Sequence, residues 1–230
     1  MSVSDNLARI RESISEIALR AGRPADSVQL LAVSKFHPAE AVMEAARAGQ
    51  RLFGENRVQE AVEKFPAILQ SIPDISVHLI GQLQRNKVKT AVSLAGCIQS
   101  VDRAELLIEI EKQAALAGKT IDILFEMHTG EDSKSGYPDD DALFRSIDLL
   151  DSMSHVRCRG LMTMAPFTTD EQLVRHSFRS LAATRQACIR RYSALDFSEL
   201  SMGMSADYEI AIAEGSTMVR IGTAIFGERT

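Results

Sequence analysis

Eight short apolar segments, each followed by a stretch with helical spacing, constrain this chain more than any other feature. They fall at residues 28–34, 51–55, 77–81, 97–101, 121–127, 156–164, 198–203 and 217–222. Most are near-continuous apolar runs rather than alternations, as expected of strands buried on both faces. The intervening segments carry helix punctuation. Pro38 opens one and Gly49 lies just past its end, the usual asymmetry of a helix. Residues 55–69 read as a helix with Val58, Ala61, Val62 and Phe65 on its inner face. Asp102 with Glu105, and Thr169 with Gln172, have capping-box spacing, while Ser205 is expected to cap a helix that runs to Glu214 and stops at Gly215. Ahead of the series, Leu7, Ile10, Ile14 and Ile17 share one face of an N-terminal helix, with Ser4 as its expected cap and Gly22 at its end.

Strands alternating with helices imply a parallel sheet, because parallel neighbours need long crossovers. Eight such units in 230 residues suit a closed barrel in size; an open, doubly wound sheet is the alternative. The expected fold is α/β, a single (β/α)8 TIM barrel domain over residues 1–230 with an extra N-terminal helix. A net charge of −5 argues against nucleic-acid binding. Cys97, Cys158 and Cys188 are an odd, widely spaced set without a C-x-x-C pair. That pattern fits a reducing compartment and argues against a disulfide scaffold or structural zinc. No apolar run approaches the roughly 20 residues that span a bilayer. The charged, helical N-terminus does not read as a signal peptide. The expectation is a cytoplasmic protein.

In a barrel, chemistry sits at the C-terminal ends of the strands. The stretch LLAVSKFHPAE, residues 30–40, puts Lys35 at such an end. One reading is a surface lysine that snorkels outward. The other is an amine kept reactive toward carbonyls by apolar surroundings. The stretches SMGMSADYEIAIAEG and RIGTAIFG follow strands seven and eight, and they supply Ser201, Gly203, Ser205, Gly222 and Thr223. Either alone is an ordinary glycine-containing turn. Together, after those two strands, they suit a phosphate. Strand eight neighbours strand one in a closed barrel, so a ligand with an aldehyde and a phosphate fits both features: pyridoxal 5′-phosphate. Asp207 counts against a phosphate there unless it points outward. Arg220 either donates to a pyridine nitrogen or pairs outside with a helix carboxylate; strand alternation alone leaves both open.

The segments LLAVSK, FGENRVQE, HLIGQLQRNK, SVDR, EDSKSG, GLMTMAP and LSMGMSADYEIAIAEGSTMVRIGTAIFGER together resemble the pyridoxal phosphate homeostasis protein family, single-domain relatives of the alanine racemase barrel. The resemblance runs from about Gly22 to Arg229. It implies that Lys35 forms the internal aldimine and that Asn56 lies near the cofactor. Ser201, Gly222 and Thr223 would hold the phosphate, with Ser205 a further candidate. Arg220 would face the pyridine nitrogen, and Met162 would line the pocket beside the ring, although ordinary barrel core suits Met162 equally. His78 and Gln82 lie around strand three, with His78 read as structural. Phe36 and His37 depart from the family pattern, as do Glu126, Met127 and His128 at the end of strand five. Glu126 and His128 share one side of that strand, as an acid–base pair or as solvated strand-end residues.

The resulting functional expectation is a pyridoxal phosphate-binding protein acting in intracellular homeostasis or delivery of the cofactor, with no catalytic residue assigned. One alternative is a racemase-like enzyme acting on amino acids. Another is a barrel enzyme acting on a phosphorylated sugar through Lys35. The resemblance implies that a racemase needs a second base from a further domain, and none of Tyr137, Tyr192 and Tyr208 is an obvious substitute. Expected partners are pyridoxal phosphate and, beyond it, apo enzymes that use the cofactor or enzymes that make it. Nucleic acid and membrane are not expected, and the expected state is a monomer.

Overall fold

The computed structural model describes residues 2–130 and 135–228. Residues 131–134 of the EDSKSG segment, and Arg229, lie outside the described residues. The strands are β1 (Gln29–Val33), β2 (Leu52–Glu55), β3 (Ser76–Leu79), β4 (Cys97–Val101), β5 (Ile121–Glu126), β6 (Val156–Met162), β7 (Glu199–Ser201) and β8 (Met218–Ile221). They close into one parallel barrel in sequence order, with Leu31 paired to Arg220 where β1 meets β8. The open-sheet alternative is thereby excluded.

Helices α1 (Val3–Arg20), α2 (Ala39–Arg47), α3 (Val58–Ser71), α4 (Val88–Leu94), α5 (Ala104–Leu116), α6 (Asp140–Ile147), α7 (Glu171–Arg191), α8 (Tyr208–Ala213) and α9 (Thr223–Phe226) form the outer layer. The last, with four residues, is too short to cover its share of the barrel and too short to show a helical period in the sequence. The N-terminal helix compensates. It packs against α2, α8 and α9, filling the gap where the ring would otherwise stay open. Its buried face is Leu7, Ile10, Ile14, Ile17 and Ala18; each of the larger side chains contributes about 1.5–3 kcal/mol on burial. Asn6 Nδ2 donates to the Ile225 carbonyl at 3.0 Å, which fixes α1 to α9.

The helix starts differ from the expected ones. α1 is capped by Ser2, whose hydroxyl accepts the Asp5 N–H while the Asp5 carboxylate accepts the Ser2 N–H, so Ser4 is inside the helix. α3 begins at Val58 because Glu55 belongs to β2, and its inner face uses Ile68 while Val62 is exposed. Arg103 occupies the cap of α5, and Asp102 pairs with Arg103 instead of capping. Asp170 caps α7 by accepting the Gln172 and Leu173 N–H groups. Ser205 caps nothing, because α8 starts only at Tyr208.

Alternation along the strands divides the interior in two. Phe53, Val77, Ile98, Phe125 and Val219 face outward into the core beneath the helices. Inside the barrel, Leu31, Val33, Ile80 and Met218 form one apolar cluster, and Cys97, Leu124 and Met162 form another. A polar seam formed by His78, Gln99, Ser201 and Arg220 also runs through the interior, and all four residues are buried.

Candidate functional site at the barrel mouth

Lys35 stands two residues past the end of β1, half-buried, in the turn that leads from the barrel mouth to α2. Asn56 directly follows β2, also half-buried. It lines a groove of about 540 Å³ that runs outward between the start of α3 and residues 84–87. Gly222 lies where β8 closes on β1. A Cβ at that position would stand 2.9 Å from the Val33 carbonyl oxygen, so glycine permits the two strand ends to approach. Gly222 caps α9 without a side-chain bond, and Thr223 follows it, exposed. Ser205 is exposed on the loop after β7. Asp207, on the same loop, does not point wholly away. Its carboxylate accepts the Met204 N–H at 2.5 Å, and its charge favours the protonated form of Arg220.

Arg220 points inward, so it does not pair outside with a helix carboxylate. Its guanidinium donates to the Ser201 carbonyl at 2.7 Å, the Ser201 hydroxyl at 2.9 Å and the Thr163 carbonyl at 2.8 Å. Burial lowers its pKa to about 10, against the opposing pull of Asp207 and Glu126; it stays a cation at neutral pH. The Ser201 hydroxyl donates its proton to Gln99 Oε1 at 2.7 Å. Gln99 Nε2 in turn lies 2.8 Å from His78 Nδ1. An amide nitrogen only donates, so Nδ1 accepts and the ring proton is assigned to Nε2. Burial holds His78 down at a pKa of about 4, so the ring is neutral. In this structure the Ser201 hydroxyl is engaged by Gln99 and Arg220. Its one proton is committed to Gln99, and it braces Arg220.

Met162 is fully buried against Cys97 and Leu124, beneath the mouth, and Met164 packs on that cluster one alternation higher. Glu126 is buried rather than solvated. The reason is a return of the chain. The Tyr137 N–H donates to the Glu126 carbonyl at 2.8 Å, and the His128 N–H to the Tyr137 carbonyl at 2.9 Å, closing the strand end under residues 135–137. The Ser135 hydroxyl donates to Glu126 Oε1 at 2.9 Å. Burial pushes this carboxyl up, while Ser135 and the Arg220 charge act against the rise.

Residues 6–230 match the family model for the alanine racemase N-terminal domain. The chain is 38% identical to the pyridoxal phosphate homeostasis protein of Vibrio cholerae serotype O1, over 99% of this chain and 97% of that relative. It is equally similar, at 38%, to the protein of that name from Aquifex aeolicus, over 100% of this chain and 99% of the other. The chain belongs to the pyridoxal phosphate homeostasis protein family.

Among solved structures, PipY of Synechococcus elongatus PCC7942, determined with PLP bound, is 37% identical with a TM-score of 0.85, covering 98% of this chain and 100% of that one. An alanine racemase of Clostridium difficile 630 shares the barrel alone, at 13% identity and a TM-score of 0.76, over 97% of this chain and 60% of that one. In this member of the homeostasis protein family Tyr192 and Tyr208 engage the outer layer, and Tyr137 is buried in the return over the end of β5. Tyr137 packs edge-on against Phe125 at 6.0 Å, the Tyr192 hydroxyl donates to Asp148 at 2.7 Å, and the Tyr208 hydroxyl lies 3.0 Å from Ser13 Oγ on α1.

Three parts of the mouth escaped the sequence reading. The Thr163 carbonyl has no side-chain signature. Gln99 did leave one, a carboxamide inside the apolar run CIQSV. The buried ion pair between Lys64 and Glu55, at 2.6 Å, joins residues nine apart on different elements and follows no local period.

Proposed function

We propose that this protein binds pyridoxal 5′-phosphate through an imine bond from Lys35 and serves in the intracellular homeostasis or delivery of that cofactor. The observation that carries the reading is the junction of β1 and β8. An amine on one strand end and a glycine-lined turn with a helix start on the other are drawn together because Gly222 admits the Val33 carbonyl. The pyridoxal phosphate found with PipY, and the names of the relatives, support it.

The residues present fit the group. The cofactor, when bound, supplies an aldehyde that condenses with a neutral amine, forming a C=N bond and releasing one water. Lys35 provides that amine. Gly222 and Thr223 face the phosphate with backbone N–H groups and a hydroxyl at the start of α9, and Ser205 adds a second hydroxyl. Arg220 offers the guanidinium N–H groups not spent on Ser201 and Thr163 to the pyridine nitrogen. Ser201 keeps Arg220 in place from below. Asn56 flanks the site on the β2 side, and Met162 closes the floor. Beside a ring nitrogen, the Arg220 cation would keep that nitrogen unprotonated and weaken the ring as an electron sink. With no tyrosine offering itself as a second base, carrying the cofactor suits such a site better than racemising amino acids. No helix among the described residues is long and apolar enough to cross a membrane. The reading includes a monomer in the cytoplasm, with apo enzymes that use the cofactor, or enzymes that make it, as partners.

The loaded protein, mixed with an apo enzyme that needs pyridoxal phosphate, restores that enzyme's activity. With L- or D-alanine in D2O it incorporates no deuterium at the α-carbon. Sustained exchange or racemisation at steady turnover would contradict the carrier reading and favour the racemase-like one.

A further inference from the structure

The two peptide groups that flank the Lys35 Cα are both held by one helix. Lys64 Nζ, on α3, donates to the Ser34 carbonyl at 2.8 Å. One helical turn earlier, Glu60 Oε2 accepts the Phe36 N–H at 3.0 Å. The cation takes the carbonyl before Lys35 and the anion takes the N–H after it. Residues four apart on a helix share a face, so α3 presents both grips together.

The arrangement is reinforced from β2. Glu55 Oε1 accepts from Lys64 Nζ at 2.6 Å and from the Ser34 hydroxyl at 2.8 Å. The Ser34 N–H donates to the Gly54 carbonyl at 3.0 Å. The Glu55 side chain is fully buried and that of Lys64 nearly so. Burying an ion pair costs desolvation that its attraction seldom recovers, so such a pair is a poor way to gain stability. Glu55 Oε2 has no hydrogen-bond partner among the described residues. Phe36 adds a second unfavourable feature, a φ of 66° in the left-handed region that bulky residues seldom enter. A lysine that merely reaches for solvent needs none of this. A lysine whose amine must meet an aldehyde at bonding distance does, because a displacement of about 1 Å can cost orders of magnitude in rate.

We propose that Glu60 and Lys64, backed by Glu55, are positioning residues that fix both peptide groups of Lys35 and so aim its amine at the incoming aldehyde. The proposal rests on Lys35 being the cofactor lysine. All three act through the Lys35 backbone.

Two probes separate aiming from plain structural support. Pyridoxal 5′-phosphate reports imine formation by its visible absorbance. Pyridoxine 5′-phosphate has the same ring and phosphate but an alcohol in place of the aldehyde, and reports noncovalent binding alone. Lys64→Met by itself strands a buried carboxylate and endangers folding, so the variants are Glu55→Gln/Lys64→Met and Glu60→Ala. In the double variant the imine band forms about tenfold more slowly or worse, and in Glu60→Ala the slowing is smaller. Pyridoxine 5′-phosphate binds both as it binds wild type. Imine formation at the wild-type rate in the double variant overturns the proposal, as does a parallel loss of affinity for both probes, the mark of a support for the fold. Absence of an imine band in wild type overturns the proposal together with the Lys35 reading. A normal wild-type band with unaltered variants overturns the proposal alone.

Discussion

The two ends of the barrel handle charge differently. At the floor, where the strands begin, Arg157 pairs with Asp122 at 2.6 Å and Arg159 with Asp196 at 3.1 Å, through partly exposed side chains. At the mouth, Arg220 and Glu126 are buried, and Lys64 with Glu55 nearly or fully so. These two floor pairs are charges that water also screens, although beside them Glu199, at the start of β7, has its Oε2 buried without a hydrogen-bond partner among the described residues. Mouth charges meet backbone carbonyls, hydroxyls and each other, with little water to share them. Exposed pairs cost little and contribute little, so they can sit anywhere on a surface. Buried ones persist only where enough polar groups converge on them. That concentration marks the mouth as the place where the chain accepts a cost in stability for a defined geometry.

The contrast can be broken in four places. The largest effect belongs to Arg220→Met, which leaves the Ser201 and Thr163 carbonyls and the Ser201 hydroxyl without their donor. It should lower unfolding free energy by about 3 kcal/mol or more in urea titrations; a loss below about 1 kcal/mol would erase the difference between mouth and floor. Next comes His78. Its folded pKa of about 4 lies below the ordinary 6.5, so between those values the unfolded chain binds a proton that the folded one refuses. Its contribution is complete above pH 6.5 and lost as pH falls toward 4. The loss is at most about 3 kcal/mol, and His78→Asn should flatten that limb of the stability curve.

Glu126 has the opposite sign. Burial raises its folded pKa, so the folded state keeps a proton after the unfolded state has released it. Stability from this group is full below the ordinary glutamate range and declines as pH rises through the folded value. Glu126→Gln should match wild type in acid and surpass it progressively toward neutral pH. An unchanged difference across that range would show that the carboxyl is not desolvated. The smallest effect is expected at the floor. Arg157→Gln should cost only about 0.2–1 kcal/mol, and less in added salt; a larger, salt-independent loss would make the two ends alike.

The order of strands and helices was legible because barrel strands buried on both faces leave unbroken apolar runs, and Gly22, Pro38, Gly49 and Gly215 mark element ends at the positions where the structure places them. Caps were read less well. Ser2 and Asp170 outcompete Ser4 and Thr169 by one or two positions, a difference set by local backbone geometry rather than by residue type. At the candidate site, the positions of Lys35, Gly222 and Thr223 just past β1 and β8 were visible because strand ends and turns announce themselves. The direction of Arg220, the burial of Glu126 and the commitment of the Ser201 proton were not. Each depends on which strand lies next to which, and on a segment, residues 135–137, that folds back over the end of β5. The grips on Ser34 and Phe36 belong to the same class, since they come from a helix one whole βα unit away.

The central claim is that the Lys35 amine and the turn beside Gly222 hold one molecule between them. The most direct test is the visible spectrum of the purified protein with pyridoxal 5′-phosphate, for wild type and Lys35→Ala, before and after borohydride, with mass spectrometry of the peptide containing residue 35. The account predicts an imine band in wild type alone, converted by borohydride into a stable adduct on Lys35. A band of equal strength in Lys35→Ala, an adduct on another lysine, or no band in wild type would contradict it.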